Sequence, residues 1–154
     1  MTIQYTKLHA DVPTPQRAHP TDAGVDLVAD CVMHDKERYT DWETDIIQPG
    51  NSRLYGTGVK TAIPEGHVGL LFARSSVGVK RRLDIANGTG VIDADYRGEI
   101  MVSLRNTGTH AARVDRGERI VQMVIVPVNL HPWVKVEELG ETVRGDGGFG
   151  STGH

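Results

Sequence analysis

What this chain has little of excludes several classes of protein. It contains one cysteine, Cys31, which rules out an internal disulfide and is typical of a reducing compartment. No apolar run approaches ~18 residues, so we expect no membrane span, and the N-terminus lacks the apolar stretch of a signal peptide. The formal net charge of −3 argues against binding to long nucleic acid, which favours a strongly basic face. We therefore expect a cytoplasmic protein with neither a membrane nor long nucleic acid as a partner.

Aromatic residues are also scarce, at 5%, so the core of this single-domain, 154-residue chain must rely on Val, Ile and Leu. Their spacing indicates β-structure. Residues 68–72 place Val68, Leu70 and Phe72 on one face, and residues 99–105 alternate in the same way. Such alternation is typical of half-buried antiparallel strands.

Other segments extend the β-pattern. A first short strand is predicted around Ile3, Tyr5 and Leu8. Residues 120–128 are apolar on both faces apart from Gln122, which predicts a strand that is buried on both sides or lies at a subunit interface. Turn signals separate the strands, and the one helix predicted, around Ser75 to Arg82, is short. The pattern favours an all-β sandwich, barrel or jelly roll.

Residues 31–45 differ from the rest, because they are charged and lack strict alternation. We expect a loop insertion in a hairpin. Trp42 either packs this loop against the domain or contacts a protein partner, and the sequence leaves both interpretations open.

Several familiar chemistries lack their residues. The seven histidines show no pair at metal-ligand spacing, which argues against a zinc site. Cys31 has no histidine partner nearby in sequence, so a cysteine nucleophile has no support. The glycine-rich segment 145–152 has no lysine and no following helix, which excludes a Walker phosphate loop.

Two clusters offer groups that suit an anionic ligand. Asp22 and Asp26 flank a glycine and would share one face of a strand, although a solvated surface turn has the same pattern. Arg74, Ser75 and Ser76 follow a predicted strand and begin the predicted helix. Backbone N–H groups there can bind an anion, and the same residues can equally form an ordinary helix cap.

Residues 87–99 form the densest cluster of polar and glycine residues. Asn87 carries a donor and an acceptor, which match the imide edge of a pyrimidine. Asp93 follows two β-branched residues and would emerge from a rigid strand end, a suitable setting for a general base. A hairpin with a charged rim would look alike.

The C-terminal segment 144–154 cannot bury a core, yet it contains an arginine and an aromatic ring. Arg144 could bind phosphate oxygens and Phe149 could stack on a flat base, as in a mobile lid that orders over a ligand. A disordered terminus is the alternative. Gln122, inside an apolar strand, also needs a partner such as a phosphate, a backbone group or a symmetry mate.

Taken in order, these clusters resemble the five motifs of the trimeric dUTP diphosphatase (dUTPase) family. The motifs are Asp22–Leu27, Arg74–Ser76, Gly90–Glu99, Gly117–Gln122 and Arg144–Gly153. The third and fifth are specific, and the match spans nearly the whole chain.

The resemblance implies a β jelly roll that forms a homotrimer, whose three active sites are each built from three chains. The expected domain is 1–143, and 144–154 is an arm that closes over a neighbour's site. The implied reaction converts dUTP and water to dUMP and pyrophosphate with Mg²⁺, which keeps uracil out of DNA and supplies dUMP for thymidylate synthesis.

The resemblance also implies residue roles. Asp93 would be the base and Arg144 an arginine finger. Tyr96 would pack beneath the deoxyribose, and Asp26 would order the water shell of the metal. The remaining substrate-binding residues would be Arg74, Ser75, Ser76 and Gln122 for phosphates, Asn87, Gly90, Val91 and Ile92 for uracil, Phe149 stacked on uracil, and Gly150, Ser151 and Thr152 at the γ-phosphate end.

Some residues depart from the family pattern. Ser76 stands where the family usually has Gly, and Ala73 where it often has Pro. The long segment 31–45 resembles inserts in phage-encoded members, some of which bind regulatory proteins. Two alternatives remain open. The first is a dCTP deaminase of the same fold, although Asp93, Tyr96 and the complete arm argue against it. The second is a nucleotide-gated module that binds a protein through residues 31–45.

Overall fold

The computed structural model describes residues 2–148. This part of the chain contains thirteen strands and one short helix, Ser76–Lys80, which is a single π-helical turn. The strands are β1 Gln4–Lys7, β2 Val25–Val28, β3 Cys31–His34, β4 Glu37–Tyr39, β5 Thr44–Ile47, β6 Ser52–Gly56, β7 Val59–Ala62, β8 His67–Ala73, β9 Leu83–Ile85, β10 Gly90–Ile92, β11 Met101–Asn106, β12 Ala112–Asp115 and β13 Arg119–Pro127.

The strand pairs within residues 2–148 are all antiparallel, which confirms the predicted all-β class. One sheet has the order β10-β8-β13-β2, and a second has the order β4-β3-β6-β11-β9. Two strand pairs, β1-β7 and β12-β5, complete the described part. The helix lies within the predicted range but is shorter.

A continuous core joins these sheets. Buried side chains come from both large sheets and from both smaller pairs, among them Leu71, Leu104, Val59 and Ile47. Strand β11 follows its predicted alternation, since Val102 and Leu104 are buried and Met101 is exposed. Burial of this apolar surface is the main force that holds the sheets together.

Three strands differ in detail from the predicted pattern of burial. In β8, Leu71 is buried and Phe72 is exposed, so Leu71 faces the core where the predicted alternation placed Phe72. Strand β1 forms as predicted but pairs only with β7 among the described residues, and Tyr5 stays exposed. In β13, Ile120, Val121 and Met123 are buried, whereas residues 124–126 are partly exposed.

The expected loop at residues 31–45 was wrong. Residues 31–39 form the β3–β4 hairpin, and β4 is the outer strand of the second large sheet. Asp35 and Lys36 both have positive φ, 46° and 71°, which suits a two-residue hairpin turn. Trp42 packs inward, where its Nε1 donates to the Asp30 carbonyl at 3.3 Å and its ring lies 5.8 Å from that of Tyr55. Among the described residues, no helix is long and apolar enough to cross a membrane.

Candidate functional site

A polar pocket of about 240 Å³ lies where β2, β8 and β13 meet. Antiparallel pairing places Asp26 of β2 opposite Gln122 of β13. Arg74 directly follows β8, and its N–H donates to the Ile120 carbonyl at 3.2 Å. The pocket lining includes Asp22, Asp26, Arg74, Ser75 and Gln122. The structure thus brings together residues from three of the predicted clusters.

Charge in this pocket is organised around Asp26. Its Oδ1 lies 2.9 Å from Arg74 Nε, and its Oδ2 accepts from Arg119 at 3.1 Å. The Arg119 contact was missed from sequence, because only strand pairing shows that Arg119 lies opposite Val28, from where its side chain reaches Asp26. Asp26 therefore holds two guanidinium groups, of which that of Arg74 lines the pocket and suits phosphate oxygens.

Ser75 lies at the start of the helical turn and lines the pocket. Its side chain makes no capping hydrogen bond, so the alternative of an ordinary helix cap has no support. The N–H groups of Val77 and Gly78 both donate to the Arg74 carbonyl at 2.9 Å, which ties the turn to the end of β8. Ser76, by contrast, is not among the residues that line this pocket.

Gly24 is a second residue that the sequence interpretation passed over. A Cβ atom added there would lie 2.5 Å from Gln122 Oε1, which is closer than real contacts allow. The absence of a side chain at position 24 therefore leaves room for the Gln122 amide beside Asp26. This packing explains the glycine between the two aspartates of the first motif.

A second cleft, of about 420 Å³, lies beside strand β10. Its lining includes Asn87, Gly90, Val91 and Ile92 together with apolar residues such as Ile85. Strand β10 pairs with β8 along one edge only, within residues 2–148, so its other edge presents backbone donors and acceptors. Such an edge, next to an exposed Asn87, can recognise the polar rim of a flat ring.

Gly88 and Gly90 serve different purposes in this hairpin. Gly88 has φ +82°, a left-handed conformation that the turn requires. Gly90 packs against Leu71, whose Cβ would lie 3.0 Å from an added Cβ. The close approach at Gly90 is thus to the core of the sheet.

Asp93 and Tyr96 lie just beyond the end of β10. Asp93 is exposed, and the described residues place no cation within ion-pair distance of it. The Tyr96 hydroxyl donates to the Glu99 carbonyl at 2.9 Å, and its ring lies directly over Gly98. Neither residue lines the polar pocket around Asp26.

The arm is described only at its start. Arg144 is exposed, and its Nε donates to the Gly147 carbonyl at 2.8 Å. Phe149, Gly150, Ser151 and Thr152 lie outside the described residues. Arg144 lines neither of the two clefts above. Within one chain, the predicted site residues therefore lie in separate places: the pocket around Asp26, the cleft beside β10, and the start of the arm.

Cys31 has no place in this site. The side chain is buried, and burial raises the pKa of its thiol, with Arg38 acting in the opposite direction. A protonated, enclosed thiol is a poor nucleophile, which agrees with the interpretation that set cysteine catalysis aside.

The chain is thus an all-β protein with arginine, hydroxyl and amide groups around one pocket, a set of groups that suits a phosphorylated ligand. The chain belongs to the dUTPase family, whose model matches residues 10–153. The deoxyuridine 5′-triphosphate nucleotidohydrolase of Corynebacterium glutamicum is 45% identical over 153 residues, which are 98% of this chain and 94% of that protein. The corresponding protein of Rhodococcus erythropolis is 44% identical and is covered over 87% of its length.

Solved structures agree with this assignment. The dUTPase of Staphylococcus bacteriophage 80alpha, solved with dUpNHpp, has a TM-score of 0.82 and 32% identity, with 99% of both chains covered. The dUTPase from phage phi11 of S. aureus has a TM-score of 0.76 and 28% identity, with 92% of this chain and 100% of that chain covered. The resemblance drawn from the five motifs is therefore confirmed.

Proposed function

We propose that this chain hydrolyses dUTP to dUMP and pyrophosphate. The observation that carries the proposal is the gathering of Arg74, Ser75 and Gln122 around Asp26 in one polar pocket. The chain belongs to a family named for this substrate, and that membership supports the proposal.

The pocket around Asp26 binds the phosphate chain. Arg74 supplies a guanidinium that Asp26 orients at 2.9 Å, and Gln122 supplies an amide that Gly24 leaves room for. Ser75 contributes a hydroxyl that makes no helix-capping hydrogen bond. These groups position the phosphates and neutralise their negative charge. Catalysis of phosphoryl transfer depends mainly on these two effects. Ser76, which follows Ser75 in the helical turn, is kept as a phosphate-binding residue in this proposal.

The cleft beside β10 binds uracil. Asn87 offers a donor and an acceptor, and the open edge of β10 offers the backbone of Gly90, Val91 and Ile92. The cleft excludes thymine because its 5-methyl group is too bulky. Cytosine, which has a 4-amino group, would leave hydrogen-bonding groups of the ring and the backbone without matching partners. Hydrogen-bond mismatch of this kind discriminates strongly between pyrimidines.

Asp93 accepts a proton from water as the oxygen of that water bonds to the α-phosphorus. The bond from the α-phosphorus to the bridging oxygen breaks, and pyrophosphate leaves. An exposed aspartate that is free of ion pairs within the described chain can perform this step. Tyr96 lies beneath the deoxyribose, where its ring leaves no room for a 2′-hydroxyl.

Mg²⁺ fits the phosphate pocket as a cation that enters with the triphosphate. The oxygen donors are Asp22, Asp26 and Gln122, and hard oxygen ligands suit Mg²⁺. Both oxygens of Asp26 already contact guanidinium groups, which favours contact with Mg²⁺ through water rather than direct ligation. When bound, Mg²⁺ would neutralise phosphate charge.

We further propose a homotrimer in which 1–143 is the domain and 144–154 an arm that closes over a neighbour's site. Residues 130–143 carry large apolar side chains that are exposed in the single chain: Leu130, Trp133, Val134, Val136, Leu139 and Val143. An exposed apolar segment of this length indicates a binding surface for another chain. In the trimer, Arg144 and Phe149 would reach a site whose phosphate pocket belongs to another protomer.

A regulatory partner at residues 31–45 gains no support, because residues 31–39 belong to a sheet and Trp42 packs inward. A cytoplasmic location agrees with the single buried free thiol of Cys31.

The test is a pyrophosphate-release assay with Mg²⁺ on dUTP, dCTP, dTTP, dATP, dGTP and UTP. We expect pyrophosphate to be released from dUTP and from none of the other five nucleotides, each supplied at the concentration at which dUTP saturates the enzyme. Ammonia release from dCTP would instead identify the deaminase alternative, and absence of pyrophosphate from dUTP would refute the proposal.

A further inference from the structure

The side chain of Arg38 joins the β3–β4 hairpin to the segment that follows Tyr96. Arg38, on β4, lies opposite Met33 and points into the domain. One guanidinium nitrogen forms an ion pair with Glu99, and the other donates to Asp30 Oδ2 at 2.8 Å. The hairpin is therefore bonded to residue 99, three positions after Tyr96.

Glu99 is held tightly at the end of this contact. Its side chain is 10% exposed, and its Oε1 accepts from the Gly58 N–H at 2.7 Å. A Cβ atom at Gly56 would lie 2.4 Å from the same oxygen, so Gly56 leaves the slot that the carboxylate occupies. Within residues 2–148, Arg38 is the one cation in ion-pair contact with Glu99.

The position of Tyr96 depends on Glu99. The hydroxyl of Tyr96 donates to the Glu99 carbonyl oxygen at 2.9 Å. A Cβ atom at Gly98 would lie 2.3 Å from that hydroxyl oxygen, so the tyrosine side chain lies flush against the backbone of the next residues. Any shift of the backbone at 98–99 therefore moves the ring.

Charge makes Arg38 necessary in this arrangement. Asp30 is 5% exposed, and one oxygen of its carboxylate lies within 4.8 Å of one from Glu99. Two buried carboxylates at this separation repel each other unless a cation lies between them. Asp30 has His9 at 2.9 Å and Arg116 at 3.7 Å as further partners, whereas Glu99 depends on Arg38.

We propose that Arg38 is a positioning residue for sugar selectivity: it holds Glu99, and through Glu99 it holds the Tyr96 ring against the 2′ position of the substrate. This inference rests on the proposed place of Tyr96 beneath the deoxyribose. It gives the hairpin at residues 31–39 a role within its own active site.

The experiment compares kcat/KM for dUTP and for UTP in full-length variants. Arg38→Met removes the guanidinium and keeps most of the side-chain volume. We expect the dUTP-to-UTP ratio of kcat/KM to fall about tenfold, because residues that share one ion network are strongly coupled. Arg38→Lys, which keeps a charge, should recover part of the ratio.

Arg53→Met is the matched control. Arg53 lies on β6 and forms a half-buried ion pair with Asp45 at 2.8 Å, away from Glu99. The ratio in this variant should equal that of the wild type. An unchanged ratio in Arg38→Met would overturn the inference, and so would an equal fall in both variants or an equal loss of kcat/KM for both substrates.

Two further variants separate the possible failures. If Arg38→Met does not fold, Arg38→Met/Glu99→Gln removes the unpaired charge and should still show the lower ratio. Tyr96→Ala tests the underlying role of the ring. An unchanged ratio in Tyr96→Ala would refute the proposed place of Tyr96, whereas a fall in Tyr96→Ala without one in Arg38→Met would refute only the inference about Arg38.

Discussion

At the scale of single residues, the proposed role of the exposed Asp93 as the general base can be tested by removing its carboxylate. Asp93→Asn keeps the size and polarity of the side chain but cannot accept the proton. We expect kcat to fall by ~10²–10⁴-fold with KM little changed, which is the usual size of a general-base contribution. Pyrophosphate release under steady-state conditions measures both constants.

Asp95 supplies the control for this substitution. It is an exposed aspartate two residues away, and Asp95→Asn should keep nearly the full rate. Near wild-type turnover in Asp93→Asn would remove Asp93 from the base role.

A second prediction at this scale concerns Gly24 and the KM for dUTP. In Gly24→Ala the new methyl group would overlap Gln122 Oε1, which lies 2.5 Å from the added atom. The amide must then leave the phosphate pocket, and we expect KM for dUTP to rise by about fivefold or more, since overpacking of this kind costs ~1–3 kcal/mol. Gly50→Ala is the control, because nothing lies within 4 Å of an added Cβ there and the residue does not line the pocket; its φ of +80° makes stability, and not KM, the quantity that should change. A wild-type KM in Gly24→Ala would show that Gln122 does not hold phosphate.

At the scale of elements, the proposed role of the arm, residues 144–154, rests on the sequence alone. Phe149 lies outside the described residues, so its stacking on uracil stays a prediction. Stacking of a base on an aromatic ring is worth ~1–3 kcal/mol, and Phe149→Ala should therefore raise the Kd of a non-hydrolysable dUTP analogue by roughly fivefold to a hundredfold. Titration calorimetry with Phe149→Tyr as the conservative control would measure it, and equal affinity in all three proteins would count against stacking.

The elements also show which parts of the fold were predictable. The alternation of Val102 and Leu104 identified β11, since a period of two is a local property of the chain. The β3–β4 hairpin was not predicted, because its strands carry charge. Arg38 is tolerated there because Asp30 and Glu99, the latter far away in sequence, neutralise it. No local pattern reports such a pairing.

The same distinction applies to the site. Arg74, Ser75, Asp26 and Gln122 were selected from sequence, and the strand order places them around one pocket. The contact of Arg119 with Asp26 was not foreseen, because it depends on the antiparallel register of β13 and β2, with its bulge between Arg119 and Val121.

At the scale of the whole molecule, the separation of the site into parts leads to a test of assembly. If each active site combines Asp93 from one protomer with Arg144 from another, two inactive variants should complement each other. Asp93→Asn and Arg144→Ala, mixed after mild denaturation and refolded together, should form mixed trimers in which some sites contain both wild-type residues. We expect the mixture to recover a clear fraction of wild-type pyrophosphate release.

The controls are each variant refolded alone and a mixture assembled without denaturation. An inactive co-refolded mixture of trimers would mean that both residues act within one protomer. Light scattering on the wild-type protein checks the trimer itself, and a fully active monomer would refute shared sites.

The sequence by itself determined the family, the strand alternation and the chemical groups, because these depend on residue type and on spacing along the chain. Tertiary structure decided where Gln122 finds space, which cations meet Asp26, and that Arg38 links a hairpin to Tyr96 through Glu99. Those features depend on register and on buried charge pairing between residues that are distant in sequence. Their energies arise only when folding excludes water from the groups involved.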